Sequence, residues 1–286
     1  MRSTDDIAAS LGLRRASRGW SGDCPACGYR DGFRLVEKAG RALWGCFSCQ
    51  DRAALAEVVL GQRGGGATGS SHAATVSIDA TKAQRAMRLW QAAQPIQGSS
   101  AGRYLAGRGL ALPDGSALRY LPDAYHPSGA RAGCMIALAV NAVGKEQAVH
   151  RTYLAPGGVG KAALDPPRAT LGPVGGAVVR LCELRSSKRL LIGEGIESSI
   201  SAGLLASAPA WAALSAGNMA RVPLPDSVVE VVIAADHDAP GQRAAWAAAD
   251  AFMAQGRRVH IICPDIPGDD FNDLLQRQKA RENTHA

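Results

Sequence analysis

Two short apolar runs in this 286-residue chain each end in acid. Leu190-Leu191-Ile192 passes through Gly193 into Glu194-Gly195, and Val228 to Ala234 passes through Ala235 into Asp236-His237-Asp238. Carboxylate oxygens are hard ligands that suit Mg²⁺ or Mn²⁺, ions that bridge protein carboxylates to substrate phosphates. One such acid alone would be a solvated loop residue; repetition after two runs favours a shared site. Asp269, Asp270 and Asp273 follow a third run and offer an outer acidic ring, with helix capping as the competing role of Asp269 or Asp270. A second chemistry is carried by thiols. Cys24-Pro-Ala-Cys27 and Cys46-Phe-Ser-Cys49 are separated by eighteen residues. Two thiolate pairs at this spacing suit one tetrahedral zinc with no open position, hence a structural metal. Arg34 and Trp44 lie between the pairs, a cation and an aromatic of the kind that hold single-stranded nucleic acid. Trp44 serves equally well as the core of a small ribbon.

The acids need a scaffold that brings strand ends together. From Leu190 the pattern alternates: strand 190–192, helix 197–206, strand 210–214, strand 228–234, helix 240–255, strand 258–263. Continuous branched runs predict buried parallel strands, with helices on both faces. Ligands of such a sheet gather outside the carboxyl ends of its strands. Alternation turns His237 away from its two aspartates, so it is not counted as a ligand. Cys134, Cys182 and Cys263 lie in apolar strands and read as small buried hydrophobes, and Trp211 and Trp246 as core.

Upstream, Ser3 or Thr4 can cap a helix through Leu11, and Phe33–Glu37 with Ala42–Trp44 read as ribbon strands. A helix is expected over 51–60, then a glycine- and serine-rich tether. Helices follow at 79–93 and 101–110, with strands at 133–140, 147–154 and 174–181. The expected division is a zinc ribbon over 1–61, a flexible linker over 62–78, a basic α+β subdomain over 79–185 and an α/β domain over 186–286. The net charge of +7 divides as +2 over 1–79, +8 over 80–180 and −3 over 181–286. A polyanion held by the cationic middle and metal-activated by the acidic tail fits that division. Pro156-Gly-Gly-Val-Gly-Lys161 resembles a phosphate-binding P-loop, but Ala155 and Ala162 replace its first Gly and its Ser/Thr. It reads as a glycine turn presenting one lysine. No apolar run approaches the ~18 residues that span a membrane, and the N-terminus lacks a signal-peptide core. With two Cys-x-x-Cys pairs, a reducing cytoplasmic location is expected.

Glu194-Gly195, Asp236-x-Asp238 and the acidic segment with Asp270 and Asp273 resemble the Toprim domain shared by topoisomerases and bacterial-type primases. The four-cysteine ribbon resembles the zinc module of phage primase–helicases and bacterial primases. His150-Arg-Thr-Tyr-Leu, Lys161 and Asp165-Pro-Pro-Arg-Ala-Thr resemble the basic subdomain that precedes Toprim in primases. The order is most similar to the short Toprim primases of phages, plasmids and integrated elements. Cys27 stands where many cellular primases carry His, and the helicase-binding domain of a cellular primase does not follow Leu275. The resemblance implies a DNA primase making short RNA primers from NTPs on single-stranded DNA, with a separate replicative helicase as a further partner. Asp236 and Asp238 would hold Mg²⁺ or Mn²⁺, with Asp270 and Asp273 beyond them and Glu194 as ligand or general base. Arg151, Lys161 and Arg168 would hold phosphates. A Toprim nuclease and a non-catalytic recombination mediator use similar parts. A type IA topoisomerase does not fit, because all five tyrosines precede the acidic sheet.

Overall fold

The structure, a computed structural model, describes residues 3–17, 19–25, 32–38, 40–46, 55–56, 58–59, 71–113 and 117–284. It contains two units, one made of residues 1–71 and 215–217 and a body made of 72–214 and 218–286.

In the first unit, α1 (Thr4–Ser10) starts on a capping box: the Ser3 hydroxyl accepts from the Asp6 amide while the Asp6 carboxylate accepts from the Ser3 amide. Strands β1 (Arg14–Ala16), β2 (Gly19–Gly22), β3 (Phe33–Lys38) and β4 (Arg41–Cys46) follow as an antiparallel sheet in chain order. Ile7, Phe33, Leu35 and Leu55 form its small core together with Cys24 and Cys46. Of the helix expected over 51–60, residues 55, 56, 58 and 59 are described and are helical.

The body begins with α2 (Ser71–Ala92), earlier than the expected start at Asp79. The glycine run stops at Gly69 and no helix breaker follows before Ala92, so residues 71–78 of the expected linker are helical. A five-stranded antiparallel sheet comprises β5 (Gln94–Pro95), β6 (Leu118–Tyr125), β7 (Arg131–Val140), β8 (Glu146–Leu154) and β9 (Arg168–Leu171), in that order. Between β5 and β6 runs α3 (Ser100–Gly107), capped by the Ser99 hydroxyl. The β7–β8 turn is built on Asn141, whose side-chain oxygen accepts from the amides of Val143 and Lys145. Of the strand expected over 174–181, only β10 (Val179–Arg180) and a bridge from Val178 to Val140 form.

The second sheet carries the acids. Its order is β10, β12 (Ala210–Ala212), β11 (Arg189–Gly193), β13 (Glu230–Ala234), β14 (Arg258–Ile262). The last four are mutually parallel, as their apolar runs predict, and β10 adds an antiparallel edge. The long helices are α4 (Ile196–Ala206), α5 (Ala239–Met253) and α6 (Phe271–Thr284). Helix α4 is buried continuously from Ile196 to Gly203. Its Ile196 and Ile200 pack in one core with Tyr104, Met135 and Leu154 of the antiparallel half, and its Ala202 packs in another with Leu191, Val232 and Phe271. A helix covered on all sides must be slim, which accounts for its serines, alanine and glycine: a Cβ on Gly203 would lie 2.8 Å from that of Ala210.

Five core expectations divide. Trp211 is buried, but Trp246 is 64% exposed, because α5 turns Ala245, Ala248, Ala249 and Phe252 inward instead. Cys134 is buried, its thiol pushed up to about 12 by burial. Cys182 and Cys263 are only half-buried, since each lies beyond a strand end.

Candidate active site

The register of the parallel sheet makes the acid-bearing ends level. Gly193 of β11 pairs with Ala234 of β13, so Glu194 and Asp236 leave the same edge of neighbouring strands. Glu194 is half-buried, and its carbonyl accepts from the Leu214 amide at 2.9 Å. Asp236 is half-buried too. Burial, the Asp270 charge and the Asp238 charge together raise its pKa to about 6, against the pull of Arg168. Asp238 is exposed and caps α5: one carboxylate oxygen accepts from the Gly241 amide at 2.6 Å. A Cβ on Gly241 would come within 2.8 Å of the Asp236 carbonyl oxygen, so only glycine lets this helix start so close to the acids.

Asp270 reaches the same crevice and has other contacts as well. Its Oδ1 accepts from the amides of Asn272 and Asp273, and its Oδ2 lies 3.6 Å from an Arg108 nitrogen. Asp273 returns the bond, accepting from the Asp270 amide at 3.1 Å. The pair is a capping box for α6, and it turns the exposed Asp273 onto its own helix rather than toward Asp236. Asp269 pairs with Arg277 at 2.5 Å. Among the described residues no three His, Cys, Asp or Glu side chains converge on one point. The acids stand around an open crevice, close enough to repel, and that repulsion is what a divalent cation would relieve. In kind, this all-oxygen donor set fits Mg²⁺ or Mn²⁺. His237 is held apart, its Nδ1 2.6 Å from the Pro264 carbonyl.

A cationic wall faces the acids. Pairing of Thr152 with Arg168 and of His150 with Thr170 puts these four side chains on one face of the antiparallel sheet. Arg168 is exposed, and a Cβ on Gly195 would lie 3.8 Å from its guanidinium, beside the Glu194 turn. Lys161 reaches Glu197, with Nζ to Oε1 at 3.4 Å, and the Tyr104 hydroxyl donates to the same oxygen at 2.6 Å. Burial alone would raise the Glu197 pKa; Lys161 and the Tyr104 bond hold it at about 2. Burial and the Arg168 charge keep His150 near 4, so this imidazole is neutral at neutral pH. Arg151 points from the other face of β8, 5.8 Å from the Tyr153 ring centre, and the fold does not bring it to Arg168. The turn before Lys161 is pinned on α3: Arg103 donates to the Gly157 carbonyl at 2.9 Å, and a Cβ on Gly158 would overlap the Ser100 carbonyl. No helix follows Lys161, so the segment is a glycine turn rather than a P-loop.

In the first unit, Phe33 pairs with both Gly22 and Cys46, which sets Cys24 and Cys46 at one end of the sheet. Both are buried, at 2% and 5% exposure. Two thiols so placed fit half of a zinc site; Cys27 and Cys49 lie outside the described residues. Trp44 packs half-buried on the ribbon core, in register with Leu35, while Arg34 lies on the opposite face and donates to the Phe33 carbonyl.

Glu197, Tyr104 and Arg108 have no site role in the sequence reading, and His150 enters it only as the first residue of the motif that holds Arg151. The Glu-x-x-Glu spacing from Glu194 to Glu197 was a usable signal, because it puts the second acid in the first turn of a helix, where an anion is favoured.

Three family models match successive stretches: the zinc-binding domain of primase-helicase over residues 19–54, a domain of unknown function (DUF7146) over 80–181, and a Toprim domain over 189–281. The N-terminal stretch is thus similar to the zinc-binding domain of primase-helicase, and the C-terminal stretch to a Toprim domain. Solved structures similar to it include a DNA primase domain from Pseudomonas aeruginosa, at 17% identity over 71% of this chain and 77% of that one, with a TM-score of 0.47. Another is the zinc-binding and RNA polymerase domains of the Aquifex aeolicus primase, at 13% identity over 99% and 85%, with a TM-score of 0.46. No curated protein sequence matches the chain. Among the described residues, no helix is long and apolar enough to cross a membrane.

Proposed function

We propose that this chain is a DNA primase that joins NTPs into short RNA primers on single-stranded DNA. The observation that carries the reading is the facing of two walls: Glu194, Asp236 and Asp238 at level strand ends, and Arg168 beside the Glu194 turn. In the reaction the primer 3′-hydroxyl attacks the α-phosphorus of the incoming NTP, and pyrophosphate leaves. Divalent ions, when bound, supply charge stabilisation at the attacking and leaving oxygens. Asp236 and Asp238 would hold them, with Asp270 behind Asp236. Glu194 is a further ligand or takes the hydroxyl proton. Arg168 and Lys161 contact the triphosphate, and Arg168 also draws the Asp236 carboxyl toward its ionised form. The ribbon, closed on zinc by Cys24, Cys27, Cys46 and Cys49, selects template, with Arg34 and the exposed part of Trp44 contacting the strand. Asp273 and Arg151 are left outside the reacting group.

Incubation with single-stranded DNA, labelled NTPs and Mg²⁺ or Mn²⁺, resolved on a sizing gel, tests this. Short RNA products from wild type and none from Asp236→Ala are expected. Shortened DNA without NTPs would move the reading to a nuclease, and equal products from both proteins would remove the acids from the mechanism.

A further inference from the structure

The acids and Arg168 leave one charged group of the body unexplained. Glu197 is 4% exposed, yet it is ionised and sits three residues after Glu194. A buried carboxylate needs partners, and apolar residues would usually fill such a place with no loss of stability. Its two partners both use Oε1: the Tyr104 hydroxyl from α3 and the Lys161 ammonium from the turn after β8. Burial and the neighbouring carboxylate drive the tyrosine's ionisation up, so this hydroxyl remains a donor.

The pair is one-sided. The Glu197 side chain is 5% exposed and that of Lys161 is 30% exposed. The contact is an ion pair, and an ammonium has three N–H donors, so Lys161 still presents donors to a ligand. Its backbone is fixed as well, by the bridge to Leu154 and by the Arg103 and Gly158 contacts that seat the turn on α3. Lysine is ordinarily a flexible point charge on a four-carbon stem. Here the backbone and the charged head are both held before any ligand arrives, which lowers the ordering penalty of binding.

We infer that Glu197 is a positioning residue: braced by Tyr104, it holds the Lys161 ammonium ready to receive the triphosphate of an incoming nucleotide. This rests on the primase reading for the identity of the ligand. Because Glu197 lies in the first turn of α4, directly after the Glu194-Gly195 turn, the helix that places one acid of the crevice also places this cation.

The test compares full-length wild type, Glu197→Gln, Lys161→Met and the double variant. Affinity for a fluorescent ATP analogue with Mg²⁺ is read by anisotropy, KM and kcat for NTP from primer synthesis, and folding from thermal melts. Each single variant should raise Kd and KM about tenfold, and the double variant no further, because the two residues act as one unit. The fall in kcat should be smaller than the rise in KM. Lys161→Met should melt lower than the double variant, since it leaves Glu197 buried without its cation. If it does not fold, Glu197→Gln against the double variant makes the same comparison. Equal Kd in all proteins, additive losses, or no nucleotide binding by wild type would overturn the inference. Wild type that binds nucleotide in the expected pattern but makes no primers would remove the primase reading and leave this one standing. Primer synthesis with unchanged KM in Glu197→Gln would do the reverse.

Discussion

Asp236 and Glu197 are carboxylates that follow neighbouring strands of one sheet, both removed from water to some degree, and their pKa values move in opposite directions. In the crevice after β13, burial and the charges of Asp270 and Asp238 raise Asp236 to about 6. Under α4, a deeper burial is overcome by Lys161 and Tyr104, and Glu197 stays at about 2. Depth does not decide between them; the sign of the nearest charges does. The crevice is a place with more negative charge than its own residues neutralise, and so has use for a cation from outside. The junction under α4 is already neutralised, and so holds its lysine in place.

The strongest way to break the contrast is Asp236→Ala. It should lower primer synthesis by more than ~100-fold, since stabilisation of charge at a transferring phosphate is usually the largest catalytic effect. Binding of single-stranded DNA should survive in a filter or anisotropy assay, because the middle of the chain carries the +8 charge. Next in size is Tyr104→Phe, which removes a hydrogen bond to a buried carboxylate and should lower stability by about 1.5–3 kcal/mol in denaturant melts. An unchanged midpoint would mean that Lys161 alone neutralises Glu197.

The pH dependence sharpens the contrast further, because the two acids act with opposite sign. Asp236 binds its proton more tightly in the folded chain than in the unfolded one. Metal-free protein should therefore lose stability as pH rises from about 4 to about 6. Asp236→Asn should flatten that slope, and Mg²⁺ or Mn²⁺ should raise the melting temperature clearly at pH 7 and little at pH 5. Glu197 contributes stability above its ordinary value of 4.5 that is lost as pH falls toward 2, and Glu197→Gln should remove that acid-side loss. The smallest effect belongs to Asp273→Ala. It removes half of a capping box, about 1 kcal/mol of stability, and should leave the rate of primer synthesis close to wild type. A loss as large as that of Asp236→Ala would place Asp273 in the metal site after all.

The parallel strands were legible because a strand buried on both faces must be apolar along its buried length, and β11, β12 and β13 are so apart from Arg189 and Glu230 at the first positions of β11 and β13. Strand β6 was not, since Arg119, Pro122 and Asp123 interrupt its alternation, and β9 is too short to show a period. The acids after the strands were legible as a group, but which of them a helix start would engage was not. Capping by Asp269 or Asp270 was the competing role in the sequence, and Asp270 takes it; capping by Asp238 depends on the backbone path after it, and composition carries no sign of that. Arg151 and Arg168 look alike in sequence; strand register alone puts them on opposite faces. Trp246 was misread because a large aromatic suggests a core, whereas α5 packs its inner face with alanines.

The slim helix α4 has a consequence for how the body comes apart. Family models change between residues 181 and 189, which suggests a place where two modules could be separated. Yet α4 contributes to cores on both sides of that boundary. A fragment ending near 185 would leave Met135 and Leu154 facing water, and a fragment starting there would expose Ile196 and Ile200. Neither piece should fold by itself, and the body should melt in one transition. In native-state hydrogen exchange, the amides of α4 should be among the last to open, at the same free energy as those of β7 and β13.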